Sequence, residues 1–333
     1  MLIISLSILY MTVVSLVLSE YPIPNAKPPI NKTWTDIFLQ GTTIPTIPVN
    51  TAPIAVPNHA DDLSTCPNPT DWAITYDDGP SQFTPKVLEL LQEQNVKATF
   101  FVIGSNVLKF PEILLQVHQA GHQIGIHTWS HTALTTLTND EIIAELVWTA
   151  TIIKDITGQA PKYMRCPFGD IDERVRAVIK SMGLIVVWWN RDSKDFSYTN
   201  TPAQASAIDS SFVSWAASKL SAISLQHDIA QIPVDHVTTT LKIVIDAKYS
   251  IKTIAECVGD KEPYKNQFLM KAGIVNKSGT NPTGIIVNNE VTSTANPQPT
   301  LSPSDSPKSD SIHIFKSVSY FSMMALSTFH FLI

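Results

Sequence analysis

Four groups of residues in this chain have the types and spacings that acid–base and metal chemistry need. Asp77 and Asp78 are adjacent and run into Gly79-Pro80. Around so tight a turn two carboxylates can face one spot, one binding a cation while the other stays free to take a proton. His127 and His131 are four apart. If their segment makes a helical turn, both imidazoles share one face. Two histidines and a carboxylate with open positions are a usual catalytic zinc set. Arg165, in Arg-Cys-Pro-Phe-Gly, can clamp a carboxylate with two parallel hydrogen bonds. His227, near apolar Leu225 and Trp189, is suited to act as a general acid, with Asp192 or Asp195 to orient it and raise its pKa. Each group alone has a plainer reading, as a charged turn, surface histidines, a surface arginine or a satisfied core histidine. His118 and His122 repeat the four-residue spacing inside a helix–strand connection and read as structural.

The elements that must position these residues are short apolar strands alternating with amphipathic helices. Strands are expected at 73–76, 98–103, 123–126, 162–164, 184–189, 222–226 and 250–253. Helices are expected at 85–94, 112–119, 138–158 (opened by the capping box Thr138-Asn-Asp-Glu141), 172–181, 202–220 and 234–247. About seven strand–helix units in one run imply parallel strands covered by helices. No dinucleotide-type glycine motif follows the first strand, which favours an α/β fold of the distorted (β/α) barrel kind, TIM-like, over a doubly wound sheet. In barrels the working residues lie at strand C-terminal ends. Asp77, His127, Arg165, Asp192 and His227 each follow an expected strand.

Composition bounds the rest. A net charge of −6, with no basic patch interleaved with aromatics, argues against nucleic acid. Residues 1–19 read as a secretory signal peptide and 20–69 as a proline-rich extended arm with a short helix near 34–39. The catalytic domain is expected at 70–258. A Ser/Thr/Pro/Asn-rich linker follows at 259–311, then a hydrophobic tail at 312–333 that reads as a GPI-anchor signal. The protein is therefore expected to be secreted, in the cell wall or on the cell surface, with membrane association through a lipid anchor and no protein partner implied. Three cysteines suit one disulfide and one spare thiol. Pairing Cys66 with Cys257 would tie together the ends of the folded region, worth on the order of 4–5 kcal/mol, and leave Cys166 free. Asn31 and Asn276 head glycosylation sequons.

Between Cys66 and Cys257 the sequence resembles the polysaccharide deacetylase family, carbohydrate esterase family 4, also called NodB-like, and within it the fungal chitin deacetylases. The resemblance rests on Thr75-Tyr-Asp-Asp-Gly-Pro80, on Gly121-His-Gln-Ile-Gly-Ile-His-Thr-Trp-Ser-His131, and on Arg165-Cys-Pro-Phe-Gly-Asp-Ile-Asp172, followed in order by the segments of Trp189 to Phe196 and of His227. It implies that Asp78, His127 and His131 hold Zn2+, with Co2+ sometimes accepted. It implies Asp77 as general base, tethered by Arg165, and His227 as general acid, paired with Asp195. Trp189 and Leu225 would wall the acetyl methyl, and the Phe168 backbone N–H would help stabilise an oxyanion. The implied activity is removal of N-acetyl groups from chitin or N-acetylglucosamine oligomers, giving chitosan and acetate. Alternatives are a xylan acetyl esterase or peptidoglycan deacetylase with the same site, or an inactive carbohydrate-binding wall protein. The last has no need of an acid and a base. Tyr76, Ile126, Cys166, Phe168 and Phe196 depart from the family pattern without removing an implied ligand, acid or base.

Overall fold

The computed structural model describes residues 21–54 and 62–274. The expected leader, the sequon at Asn276 and the tail at 312–333 lie outside them, as does the rest of the linker beyond 274. Asn31 opens helix α1 (Lys32–Leu39) by accepting the Thr33 N–H. In chain order follow β1 (Asp71–Asp77), α2 (Thr84–Glu93), β2 (Thr99–Val102), α3 (Gly104–Lys109), α4 (Pro111–Gln119) and β3 (Gln123–Ile126). Then come α5 (Asn139–Thr157), β4 (Tyr163–Met164), α6 (Glu173–Ser181), β5 (Ile185–Val186), β6 (Arg191–Asp192) and α7 (Ser206–Ala217). The described chain ends with β7 (Ala222–His227), α8 (Gln231–Asp235), α9 (Val237–Asp246), β8 (Ser250–Lys252), α10 (Ile254–Val258) and α11 (Gln267–Lys271). The capping box at α5 forms as its sequence predicts, with Thr138 and Glu141 exchanging hydrogen bonds.

All strand pairings are parallel, in the order β5-β4-β3-β2-β1-β7-β6. β1 lies beside β7 from Trp72 to Asp77. On its other edge β8 takes residues 71–73 and β2 takes 75–77. The two ends of the order are consecutive pieces of one run, Ile185–Asp192. The Val187 N–H donates to Met164 O of β4 (2.8 Å), and the Asn190 N–H donates to Ile223 O of β7 (3.2 Å). That run closes the sheet on itself, giving the distorted (β/α) barrel. The strand expected over 184–189 is accordingly shortened to 185–186, and the next piece, 191–192, lies beyond its expected end. The reason is Arg165: its guanidinium takes the carbonyls of Val187 (3.3 Å) and Trp188 (3.0 Å), turning them away from the ladder.

Alternation of side chains across the strands separates two cores. Trp72, Ile74 and Tyr76 of β1 join the large core under the helices. Ala73, Phe101, Tyr163, Val187 and Ile223 face the barrel interior with the disulfide cysteines. Gly125 fits there because a Cβ would lie 2.5 Å from the Phe101 ring. Cys66 and Cys257 are bonded, across a sequence separation of 191 residues. No helix among the described residues is long and apolar enough to cross a membrane.

The described parts of both flanking segments pack against the domain more than their composition suggests. The segment expected as an extended arm buries Trp34 and Phe38, and Trp34 meets Trp148 of α5 edge-on. It also donates from Asn50 N to Thr135 O (2.9 Å) and from Ile54 N to Asp170 Oδ1 (2.7 Å). At the other end the fold does not stop at 258. Residues 259–274, read as linker, bury Phe268 and Leu269 and give up the Pro263 carbonyl to Lys162 N. Their lysines and other polar residues look like linker by composition; two apolar side chains in one helical turn are enough to dock them.

Candidate active site

The residues singled out by chemistry converge at the C-terminal ends of the strands. Thr75 and Asp77 take the last inward positions of β1, and Leu225 and His227 those of β7, in register Asp77 against His227. Asp78 sits just past β1 with φ 75°. Its Oδ1 lies 3.2 Å from His127 Nε2 and 3.1 Å from His131 Nε2. One ligand atom from each of the three lies within 4.8 Å of the others. The two histidines do not meet through a helical turn as their spacing suggested. Residues 127–131 form an irregular loop, with Thr128 at φ 65° and His131 at φ 60°, and the His131 N–H bonded to Thr128 Oγ1 (3.1 Å).

This cluster fits a divalent cation. Asp78 Oδ1 is buried without a hydrogen-bond partner, a costly arrangement unless something positive meets it. His127 Nδ1 lies 2.8 Å from the Arg165 carbonyl. A carbonyl only accepts, so Nδ1 carries the proton and Nε2 presents its lone pair to the cluster. Two imidazole nitrogens and one carboxylate oxygen are a donor set suited to zinc. Burial acts to raise the Asp78 carboxyl, but the two imidazoles beside it, His127 and His131, outweigh that and hold the group well below the usual carboxylate range.

Flanking the cluster are two further pairs. Arg165 is wholly buried and donates from Nη1 to Asp77 Oδ1 (2.7 Å) and Thr75 Oγ1 (2.6 Å). Its guanidinium lies 4.3 Å over the Phe101 ring. Asp77 Oδ2 thus points toward the cluster, 3.9 Å from His127 Nε2. On the other side His227 Nδ1 donates to Asp195 Oδ1 (2.6 Å), and Asp195 Oδ2 accepts the His227 backbone N–H (2.7 Å). Of the two acids open to that role in the sequence, Asp195 takes it; Asp192 caps the following turn through Lys194 N. His227 Nε2 faces Asp78 Oδ2 at 3.9 Å. Burial lowers the affinity of this ring for a proton, but the Asp195 hydrogen bond and the charges of Asp195, Asp78 and Asp77 raise it to about 9.

Leu225 is buried beside this group, and Trp189 stacks on Trp188 with ring centroids 5.0 Å apart. Two exposed rings stand on either side: Phe168 against His131 (4.6 Å) and Phe196 against His227 (5.6 Å). Cys166 is buried and free, and burial pushes its thiol far up, so it is inert. Sequence reasoning passed over Thr75, Glu145, Asp170 and Asp228. Asp228 accepts from Thr84 Oγ1 (2.6 Å), and its backbone carbonyl accepts from Ser81 Oγ (2.5 Å), tying the end of β7 to the turn after β1. The Leu-Gln-His-Asp segment held that signal; a lone Asp beside a histidine does not reveal it.

A polysaccharide deacetylase family model matches residues 64–187. Chitin deacetylase 1 of Cryptococcus neoformans is 44% identical over 215 residues, 60% of this chain and 46% of that one. The chitin deacetylase of Amylomyces rouxii is 37% identical over 211 residues, 61% of this chain and 50% of that one. The chain thus spans about half the length of these two relatives. Among solved structures, the chitin deacetylase of Colletotrichum lindemuthianum superposes with a TM-score of 0.59 at 31% identity, covering 61% of this chain and 95% of that one. By fold, site and sequence the chain belongs to the polysaccharide deacetylase family.

Proposed function

We propose that the protein removes N-acetyl groups from N-acetylglucosamine units of chitin by metal-dependent hydrolysis, giving chitosan and acetate. The observation that carries this reading is the meeting, at one end of one barrel, of the Asp78–His127–His131 cluster with Asp77 on one side and His227 on the other. A divalent ion held there would supply Lewis acidity, acidifying water toward a pKa of about 7 and polarising the acetyl carbonyl. Asp77, with one oxygen held by Arg165, takes the proton from the attacking water at its free Oδ2. His227, fixed through Nδ1 by Asp195, gives a proton from Nε2 to the departing amine. Amide cleavage needs that proton, because an amide anion is a very poor leaving group. Acid and base are separate groups in different surroundings, one held by Arg165 and the other by Asp195. The Phe168 N–H serves the developing oxyanion, and Trp189 and Leu225 enclose the acetyl methyl. The relatives named as chitin deacetylases support chitin as the polymer. The buried disulfide supports an oxidising compartment, in keeping with action at the cell wall.

The test is acetate release from N-acetylglucosamine oligomers, acetylated xylan and peptidoglycan fragments, with added zinc and after chelation. Metal-dependent release from the chitin oligomers is the expected result. Release from xylan or peptidoglycan alone moves the substrate to that polymer, and no metal-dependent release from any of them sinks the enzyme reading.

A further inference from the structure

Glu145 lies in the middle of α5, fully buried. Among the described residues no cation forms an ion pair with it. A buried carboxylate is costly unless its lone pairs are met, and here all its side-chain partners come from one place. Oε2 accepts the backbone N–H groups of Trp129 (2.7 Å) and Ser130 (2.9 Å), and Oε1 accepts the Ser130 hydroxyl (2.6 Å). Trp129 and Ser130 are two of the three residues between His127 and His131, the ends of the loop. The carbonyl side of the same loop is held from α3: Gly104 N donates to Thr128 O (2.9 Å), while Ser105 N (3.0 Å) and Ser105 Oγ (2.6 Å) donate to Trp129 O. Thr128 and His131 are at left-handed φ, which a β-branched or bulky residue adopts only when its surroundings impose it.

We infer that Glu145 is a positioning residue for the metal ligands. Its carboxylate draws two successive N–H groups inward and so fixes the loop in the one conformation that brings His127 and His131 to Asp78. The inference rests on the metal reading of the site given above. An acid that only stabilised α5 would have no need to reach the loop, because α5 carries its own capping box. A neutral amide in its place keeps the volume but offers one acceptor oxygen and turns N–H donors toward the loop's own donors.

The experiment uses the full chain and measures zinc affinity by competition with a chromophoric chelator, alongside thermal unfolding of the metal-free proteins. Glu145→Gln is expected to weaken zinc binding about tenfold or more. Ser130→Ala, which loses one of the three contacts, is expected to weaken it about threefold. Ser130→Thr keeps the hydroxyl and is expected to bind as the parent does. Zinc affinity unchanged in both Glu145→Gln and Ser130→Ala overturns the inference, whatever happens to the unfolding midpoint. If Glu145→Gln does not fold, the Ser130 pair decides: Ala weaker than Thr upholds the inference, and equal affinities overturn it. Failure of the unsubstituted protein to bind zinc removes the metal reading itself, whereas a zinc-binding parent with equally tight variants removes only the role of Glu145.

Discussion

The two ends of the barrel treat backbone conformation differently. At the end away from the site, left-handed residues follow helices and do no more than stop them; Gly158 after α5 and Gly183 after α6 are examples, at φ 79° and 76°. At the site end the left-handed residues include Asp78, Thr128, His131, Phe168, Gly169 and Lys194, with φ from 52° to 75°. All but Gly169 carry a side chain, and each is a candidate ligand or lies in a loop that carries a candidate site residue. A non-glycine residue held there costs roughly 1 kcal/mol or more. The disulfide and the interior apolar cluster of Ala73, Phe101 and Val187 sit below, and the non-glycine left-handed residues at that end, Asn95, Lys219 and Lys248, each follow a helix and carry no candidate site residue. The comparison teaches that stability and site geometry are built at opposite ends of the same strands, so that changes at one end should leave the other nearly untouched.

The largest test of that separation is the disulfide. Cys66→Ser with Cys257→Ser opens a closed loop spanning 191 residues, and is expected to lower stability by up to about 5 kcal/mol. Denaturant unfolding measures the loss, and kcat/KM below the transition should stay near the parent value. A collapse of turnover in the folded variant would break the comparison. At the other end Asp77→Asn is expected to cut turnover about 10^3-fold with zinc affinity little changed. Retained activity would remove Asp77 as the base. The third test is pH. His227 is raised from 6.5 to about 9, so its partnership with Asp195 contributes fully to stability below 6.5, and the contribution is lost as pH rises through about 9. Under the proposed function the proton for the leaving amine would go with it, so the alkaline limb of kcat is expected there. Asp195→Asn should move that limb toward 6.5, and a limb that stays put would separate it from His227. The smallest effect sharpens the opening contrast. Gly183→Ala, at φ 76° with no atom near its new Cβ, should cost about 1 kcal/mol of stability and leave activity alone. Thr128→Gly should relieve strain and leave stability level or higher while weakening zinc binding. Should both behave alike, the two ends are not distinct.

The chemistry-bearing residues were legible in the sequence because side-chain type and order in the chain carry them: Asp77, Asp78, His127, His131, Arg165 and His227 follow strands, and parallel strands gather their C-terminal ends. What was not legible depends on contacts distant in sequence. A four-residue histidine spacing fits a helical turn, yet Glu145 and α3 pull the loop out of it. An apolar run from 184 to 189 reads as one strand, yet past Val186 it pairs with Leu63 and gives its carbonyls to a buried guanidinium from β4's end. The choice between Asp192 and Asp195 turned on a local 3-10 turn at 195–198, which no periodicity announces. Glu145 itself lies in a helix whose neighbours at 142, 143, 146 and 147 are all apolar. A charged residue inside that pattern reads as an interruption and does not disclose a partner sixteen residues upstream.

Arg165 fills the space beneath the candidate site. Its guanidinium lies between Thr75, Asp77, the Phe101 ring and two carbonyls of the closing run, with the interior apolar cluster below it. Among the described residues the barrel therefore has a floor. Under the proposed function a polymer would reach the site by lying across the open end. Units in the middle of a long strand would then be as accessible as those at its tips, and the rim residues, Phe168 and Phe196 among them, would set the length engaged.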